Sequence, residues 1–510
     1  MNKNSEILKL YTDKGFLLDR ERLDFFSELG IENTQIIIKE FIDLDIKERL
    51  ITKNVFEKYS KKFKNIKPNK EYSENKNSVV KILSSPNFLS GKIEINDFVK
   101  YFRSRYESIK KILEMRDFDN LSSIRRIGSM NGVWTIVAMV SSKRITKNKN
   151  LLIEVEDLTG TSIVLVNKEN SKLFKEARNL MLDDIVAFKV SGSIKILFAN
   201  NIIYPDSNLK EEKYSNFDEY VAFSGDFHVG SKMFLEKNVL KFINWLNGNI
   251  GDERQKEIAL KIRYLFLLGD NIEGVGQYPG QENFLEIKNC REQYKKFKEL
   301  LEKIRKDIQI IVCPGQHDAV WIGEPQPIPS GKWMSGLSEI ENLSLVPNPS
   351  LVEIDGGFKI LMYHGTSINQ FIDNNFEIRT NYGHKHPTKV IKEILKRRHF
   401  SPTHGLVDYV PCKDKDSLVI DVVPDIIATA NQHRAEIDCY NNILMISSSC
   451  WQSITPFEEK IGNVPEPCRV PLFNLKTREI KIIDFSGGEN NEIKWDESEN
   501  LTCKLENKNG

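Results

Sequence analysis

Between Phe217 and Ser449 the chain keeps returning to one pattern: a short apolar run, a polar turn that opens on Asp, His or an amide, and then a helical stretch. The runs stand in YVAFSGDFHVG (220–230), YLFLLGDNIEG (264–274), IQIIVCPGQHDAV (308–320), KILMYHG (359–365) and DIIATANQHRAE (425–436). Apolar runs of this length, bounded by turns, read as strands buried on both faces, which requires cover from helices on either side. The intervening helices are visible too: Ile287, Cys290, Tyr294, Phe297, Leu301 and Ile304 recur every three or four residues and predict a helix over 284–306. A chain with this punctuation folds as a layered α/β domain, here over 217–486.

The polar turns carry the chemistry. Residues two apart on an extended backbone point to one side, so Asp226 with His228, and Asn431 with His433, can converge on a single ion. Gly269-Asp270, Gln316-His317 and His364 end the other runs in the same way. Carboxylate oxygen, amide oxygen and imidazole together suit Mn²⁺, Fe²⁺ or Zn²⁺. Two such ions can activate a water and hold a phosphate for in-line attack. All eight histidines lie between His228 and His433, so imidazole chemistry is confined to this half.

The remainder is organised differently. Residues 1–58 read as a small module of amphipathic helices, with Ile7, Leu8 and Tyr11, then Ile36, Ile37, Ile38, Phe41 and Ile42, at helical spacing. Residues 59–94 read as a polar linker, and a connecting helix follows within 95–122, its face marked by Phe98, Phe102, Tyr106, Ile109 and Leu113. Over 123–206 the period shifts to two, and strands are expected at 132–140, 151–156, 161–167, 184–191 and 194–199. Such a set suits a small barrel, with Trp134 and Phe188 as its candidates for stacking on bases. The charged tail, 487–510, is expected to fray.

Lys and Arg total 73 against 72 for Asp and Glu, so any polyanion contact must be local. The run 385–398 is the clearest basic stretch, and Lys396, Arg397 and Arg398 could steer phosphates, although a solvated helix face is the commoner meaning of such a run. His404, in HFSPTHG (399–405), is a weaker candidate for positioning nucleic acid; His384, His386 and His399 read as structural or solvated. Trp451 and Phe457 could stack on bases or fill a core. The seven cysteines show no paired spacing, and no run approaches ~18 apolar residues, so a cytoplasmic protein with reduced thiols and no membrane partner is expected.

Taken in order, the five turns resemble the D-x-H, G-D, G-N-H-D, H-G and G-H-x-H signature of calcineurin-like metallophosphoesterases. The phrases EGVGQYPGQE, EPQP, VPDI and SCWQSITPFEEKIGNVPEPCRVPLFNL narrow this to a resemblance, over about 95–485, to the small subunit of archaeal family D DNA polymerase. The resemblance, with VEDLTG (155–160) similar to OB-folds, implies a four-layer phosphoesterase sandwich flanked by helices behind an OB-fold barrel. It also implies a 3′–5′ exonuclease that proofreads for a separate large catalytic subunit, acting on primer 3′ ends and single-stranded DNA.

Position by position, the resemblance places Asp226, His228 and His433 on a first metal and makes Asp270 the bridge. It places Gln316, His364 and Asn431 with Asp270 on a second, and gives His317 the role of acid for the leaving oxygen. Two divalent ions are implied, Mn²⁺ foremost, with Fe²⁺ or Mg²⁺ as alternatives. The chain departs from the superfamily at Gln316, where Asn is usual, and at Asn431, where His is usual; the second departure weakens the second site. Two other readings follow: a non-catalytic scaffold for a polymerase subunit, and a phosphoprotein phosphatase, which the flanking phrases disfavour.

Overall fold

The computed structural model describes residues 80–487 apart from 90 and 335, residues 493–495, and, within 1–58, residues 3–19, 23, 34, 37–38, 41–42, 48–52, 55 and 58. The chain folds as two units, Met1–Asn77 and Ser78–Gly510. In the first, a helix (Lys3–Thr12) packs Ile7 and Tyr11 against Phe16, Ile37, Ile38, Phe41 and Ile51. This unit is not wholly helical as expected: β1 (Leu17–Leu18) pairs in parallel with β2 (Leu50–Ile51), which satisfies backbone groups beside that core.

The second unit begins with β3 (Lys81–Ser84), inside the stretch read as a linker; residues 59–79 of that stretch lie outside the described residues. Its backbone pairs antiparallel with residues 351–353, an outcome that polar composition alone does not reveal. The connecting helix (Ile95–Glu114) opens with a reciprocal cap between Glu94 and Asp97 and buries Tyr101, Arg105, Tyr106, Ile109 and Leu113. Arg105 turns inward: its Nε donates to Asp416 Oδ2 at 2.5 Å and its Nη1 to the Pro402 carbonyl at 2.6 Å. His399 donates from Nε2 to the same carboxylate at 2.9 Å, so the three buried side chains form one junction.

The five expected strands are present as β4 (Gly132–Ile145), β5 (Leu151–Asp157), β6 (Gly160–Val166), β7 (Ile185–Ser193) and β8 (Ile196–Ile203). They close a barrel in the order β4-β5-β6-β8-β7. Alternation puts Ile136, Ala138, Ile153, Val155, Val164, Phe188 and Leu197 in its interior. Phe188 is therefore fully buried and presents no stacking surface, while Trp134, of the same strand parity as Ile136, is half-buried against that core.

The rest of the second unit holds two sheets. One runs β12 (Leu343–Leu345), β11 (Gln309–Cys313), β10 (Ile262–Leu268), β9 (Tyr220–Ser224), β18 (Arg469–Asn474), β19 (Ile480–Asp484) and β20 (Lys494–Trp495). The other runs β16 (Glu436–Tyr440), β17 (Ile443–Ser447), β15 (Ile426–Thr429), β14 (Phe358–Tyr363), β13 (Ser350–Ile354) and β3. Their inner faces meet through Phe223, Phe266, Ile311, Ile360, Ile426 and Ile446. Helices 236–246, 253–260 and 290–301 cover the first sheet, and helices 367–374 and 387–397 the second, which completes the four layers.

The helix expected over 284–306 is shorter, Cys290–Leu301, because the Asn289 side chain accepts from the Arg291 and Glu292 amides and starts it late. In the tail, Lys494–Trp495 pairs with β19 rather than fraying. Trp451 is core, stacked on Phe242 at 5.3 Å; the side chain of Phe457 lies outside the described residues. Cys290, Cys313, Cys412, Cys450 and Cys468 are free thiols, but Cys439 is disulfide-bonded, contrary to the expectation of reduced thiols. Sequence spacing cannot show a pairing that depends on tertiary proximity. Among the described residues no helix is long and apolar enough to cross a membrane.

Candidate metal centre

Strands β9, β10 and β11 are parallel neighbours in one sheet, and β14 and β15 in the other, so all five polar turns leave the same edge of the sandwich. Ligands of open α/β sheets gather at such carboxyl ends. The turns are sharp. Asp226, His228, Asp270, Asn431 and His433 all have left-handed backbones, with φ of 49°, 51°, 48°, 66° and 54°. Non-glycine residues rarely adopt this region, and it costs them energy. Gly269, at φ 93°, must be glycine for its backbone and also for space: a Cβ there would lie 2.6 Å from His364 Nδ1 and 2.8 Å from the Gly315 amide.

Two acceptor pairs face each other inside this edge. His228 gives Nδ1 to Glu273 Oε2 at 3.0 Å, and His433 gives Nδ1 to Glu458 Oε1 at 2.7 Å. A ring that donates from one nitrogen presents a lone pair on the other, so the two Nε2 atoms confront each other at 3.3 Å. His364 donates from Nδ1 to the Leu268 carbonyl at 2.8 Å, which leaves Nε2 facing Asp270 Oδ2 at 3.3 Å without a hydrogen bond. Asp226 Oδ1 is likewise buried and unpartnered.

Ligand atoms of Asp226, His228 and His433 lie within 4.8 Å of one another, as do those of Asp226, Asp270 and His364. Opposed lone pairs, an orphaned carboxylate oxygen and this donor chemistry fit divalent cations.

The protonation balance says the same. Burial works against charge on His364, but Asp270 and Asp226 outweigh it and push the imidazole up to about 9. Burial also resists ionising Asp270, yet His364, His317 and His228 hold it well below the usual carboxylate range. His228 and His433 are raised against the effect of burial, the former by Glu273 and Asp270 and the latter by Cys450 and Asp226. Protons are drawn to the places where cations fit.

The two departures from the superfamily pattern meet. Gln316 Nε2 donates to Asn431 Oδ1 at 3.2 Å, and Asn431 Nδ2 donates to the Gly365 carbonyl at 3.1 Å. The amide oxygen expected on the second metal is thus engaged by the neighbouring amide. Asn431 also supports the first side through its backbone, which donates to Asp226 Oδ2 at 2.7 Å.

Residues 231–438 match the family of DNA polymerase alpha/epsilon B subunits. The chain is 36 % identical over 411 residues to the DNA polymerase II small subunit of Methanothermobacter thermautotrophicus, covering 80 % of this chain and 83 % of that one. It is 32 % identical over 491 residues to the DNA polymerase II small subunit of Archaeoglobus fulgidus, covering 93 % and 97 %. The chain belongs to the DNA polymerase II small subunit family. Among solved structures, a zinc complex of Vps29 from Entamoeba histolytica is similar at a TM-score of 0.27 and 14 % identity, over 54 % of this chain and 96 % of that one.

Sequence reasoning missed three acidic residues that hold the centre in shape. Glu273 and Glu458 orient His228 and His433; Glu458 does so from a capping box with Thr455. Asp318 accepts from the Gly315 amide at 2.8 Å and from Tyr294 Oη at 2.8 Å, which fixes the turn that carries Gln316 and His317. Burial, then Asp270, push Asp318 up to about 6. A carboxylate three positions after Asp270, and a T-x-x-E cap, were the available signals.

The proposed substrate-binding cations are elsewhere. Arg397 pairs with Asp184 at 3.0 Å and with Glu393, and it donates to the Asn179 carbonyl at 2.7 Å. Arg398 donates to the carbonyls of Ile420 and Asp421 at 2.6 Å each. Lys396 Nζ sits 4.0 Å over the Tyr204 ring. Arg397 and Lys396 tie the helix 387–397 to Asn179, Asp184 and Tyr204 on the barrel side, and Arg398 is taken up by carbonyls at 420–421. His404 is exposed and stacks on Tyr409 at 6.0 Å, and its amide donates to Asp183, so it belongs to that packing as well.

Proposed function

We propose that this chain is the small subunit of a heteromeric archaeal DNA polymerase and that its metal centre is a 3′–5′ exonuclease which removes nucleotides from primer ends and single strands for a large catalytic subunit. The observation that carries the reading is the pair of facing acceptors, His228 with His433 and His364 with Asp270, each 3.3 Å apart at the strand tips. Bound divalent ions would supply a water of lowered pKa and charge neutralisation for the phosphoryl oxygens.

Asp226, His228 and His433 would hold one side and Asp270 and His364 the other, with Asp270 as the bridge; Asp226 also lies within ligand reach of the second group. His317 is kept in register by two bonds: its amide donates to Asp270 Oδ1 at 2.8 Å, and its ring Nδ1 contacts the Glu273 carbonyl at 2.9 Å. With Nδ1–H held by that carbonyl, the imidazolium form of the ring carries its second proton on Nε2, and that proton is the one available to the departing 3′ oxygen. The barrel, which we read as an OB-fold, and the large subunit account for the rest of the assembly.

Degradation of 3′-labelled single-stranded DNA under a Mn²⁺ titration tests this. Release of mononucleotides is expected, and no hydrolysis at any concentration would leave the second reading, a scaffold. The Gln316–Asn431 pairing favours that alternative, because it occupies an amide oxygen the second ion needs. Asn431→His is expected to tighten Mn²⁺ binding roughly tenfold, the low end of what changes around metal ligands produce. Unchanged affinity by calorimetry counts against the assigned second site.

A further inference from the structure

Two loops converge on His317, and each exposes an aromatic ring that the centre does not use. The first is 274–284. Its Gln277 Nε2 reaches the His317 carbonyl at 3.4 Å, and its Gln281 side chain donates to the Glu273 carbonyl at 3.1 Å while the Gln281 amide binds the Tyr278 carbonyl at 3.3 Å. Tyr278 is thereby tied to the residues beside the general acid, yet 37 % of it stays exposed. Val275, in the same loop, is 44 % exposed.

The second loop follows the motif directly. Four residues after His317, Trp321 is 41 % exposed and Ile322 is 59 % exposed. Trp321 is not a loose side chain. Its Nε1 donates to the Pro325 carbonyl at 2.8 Å, and Phe88 meets it edge-on, with centroids 5.5 Å apart at 73°. An indole whose only polar atom is committed internally offers the outside a rigid π surface with no hydrogen-bond preference. Sequence-tolerant contact with the bases of a single strand needs such surfaces, and every base has a face to stack.

We propose that Trp321 and Tyr278 are base-stacking residues that grip a single-stranded DNA end as it enters the metal centre. The inference rests on the exonuclease reading for its substrate, but it makes a separate claim about binding. It assigns recognition to ring faces rather than to cations, consistent with Arg397 and Arg398 being consumed in internal packing. It requires a free, unpaired base, so a strand lacking bases at its 3′ end forfeits the contact.

The test measures binding in EDTA, where hydrolysis cannot intervene. Fluorescence anisotropy would compare full-length wild type, Trp321→Ala, Trp321→Phe and Tyr278→Ala with a short 5′-labelled oligothymidylate and with the same strand abasic at its 3′ terminal positions. Trp321→Ala is expected to weaken the intact strand about five- to a hundredfold, the range of one base–aromatic stack, and Trp321→Phe to restore most of it. The abasic strand, which forfeits both stacks, should bind wild type at least as weakly as the intact strand binds Trp321→Ala.

Wild type that binds intact and abasic strands alike, or binds neither, would overturn the proposal. So would Trp321→Phe and Trp321→Ala losing affinity equally. Ring-dependent binding without any hydrolysis in Mn²⁺ would remove the exonuclease and keep the stacking. Hydrolysis with ring-independent binding would do the reverse.

Discussion

Two regions of this molecule bury histidine with aspartate, and they behave in opposite ways. At the junction where the Ile95–Glu114 helix packs on residues 399–416, burial and Arg105 depress His399 to about 4 despite its contact with Asp416. At the metal centre, Asp270 and Asp226 push His364 to about 9. The difference is a resident cation. Arg105 already neutralises Asp416, whose carboxyl it and His399 hold well below the usual range against burial, so His399 need not carry charge. Among the described residues no Lys or Arg pairs with Asp226 or Asp270, and the histidines of the centre are left to take up protons. The junction carries its own cation, whereas the donors of the centre are grouped as a cation from outside the chain would need.

The comparison can be broken by removing the built-in cation. Arg105→Ala strands a buried carboxylate and is expected to cost about 3–5 kcal/mol, read as a large fall in the thermal unfolding midpoint. A loss under about 1 kcal/mol would mean that the junction does not depend on that charge.

At the centre, Asp270→Asn is expected to lower DNA hydrolysis by about two to three orders of magnitude, the scale of losing a group that supports transition-state charge, in protein that still unfolds cooperatively. Retained activity would show that the two sides do not share Asp270.

Acidity separates the regions by sign. His399 is neutral in the fold, whereas the unfolded chain protonates it near 6.5; stability is therefore complete above about 6.5 and declines as pH falls toward 4. The decline amounts to about 3 kcal/mol. His364 works oppositely in metal-free protein: its contribution is full below 6.5 and disappears as pH rises through about 9. Melting curves from pH 4.5 to 9 for metal-free wild type and His399→Gln should show the acid-side slope flattened in the variant. An unaltered slope would assign that region to other groups.

The smallest of these effects sharpens the role of the supporting acids. Glu458→Gln is expected to weaken Mn²⁺ binding about 10- to 100-fold, on the His433 side only. Calorimetry that resolves two ions with both affinities unchanged would reduce Glu458 to a helix cap.

Much of this was legible because burial on both faces of a strand leaves a simple trace. The runs before Asp226, Asp270, His317, His364 and Asn431 are continuous and apolar, so their ends, and the convergence of those ends, can be read from spacing. Glu273 and Glu458 were not legible as partners of His228 and His433, because nothing local says which acid crosses a turn to meet which ring. The basic run at 396–398 misled for the same reason. A charge in sequence has no direction, and Arg397 and Arg398 turn inward at a helix end where Arg398 has φ of 56°. Phe188 was misread as a surface ring because strand parity, which decides inside from outside, depends on the register of a barrel not yet built.

The left-handed turns at Asp226, His228, Asp270, Asn431 and His433 have a consequence for engineering. Each stores on the order of 1–3 kcal/mol that glycine would release. Screening for heat resistance alone would therefore drift toward glycine at these five tips and erase the capacity to capture ions. Durability and chemistry compete for the same few torsion angles.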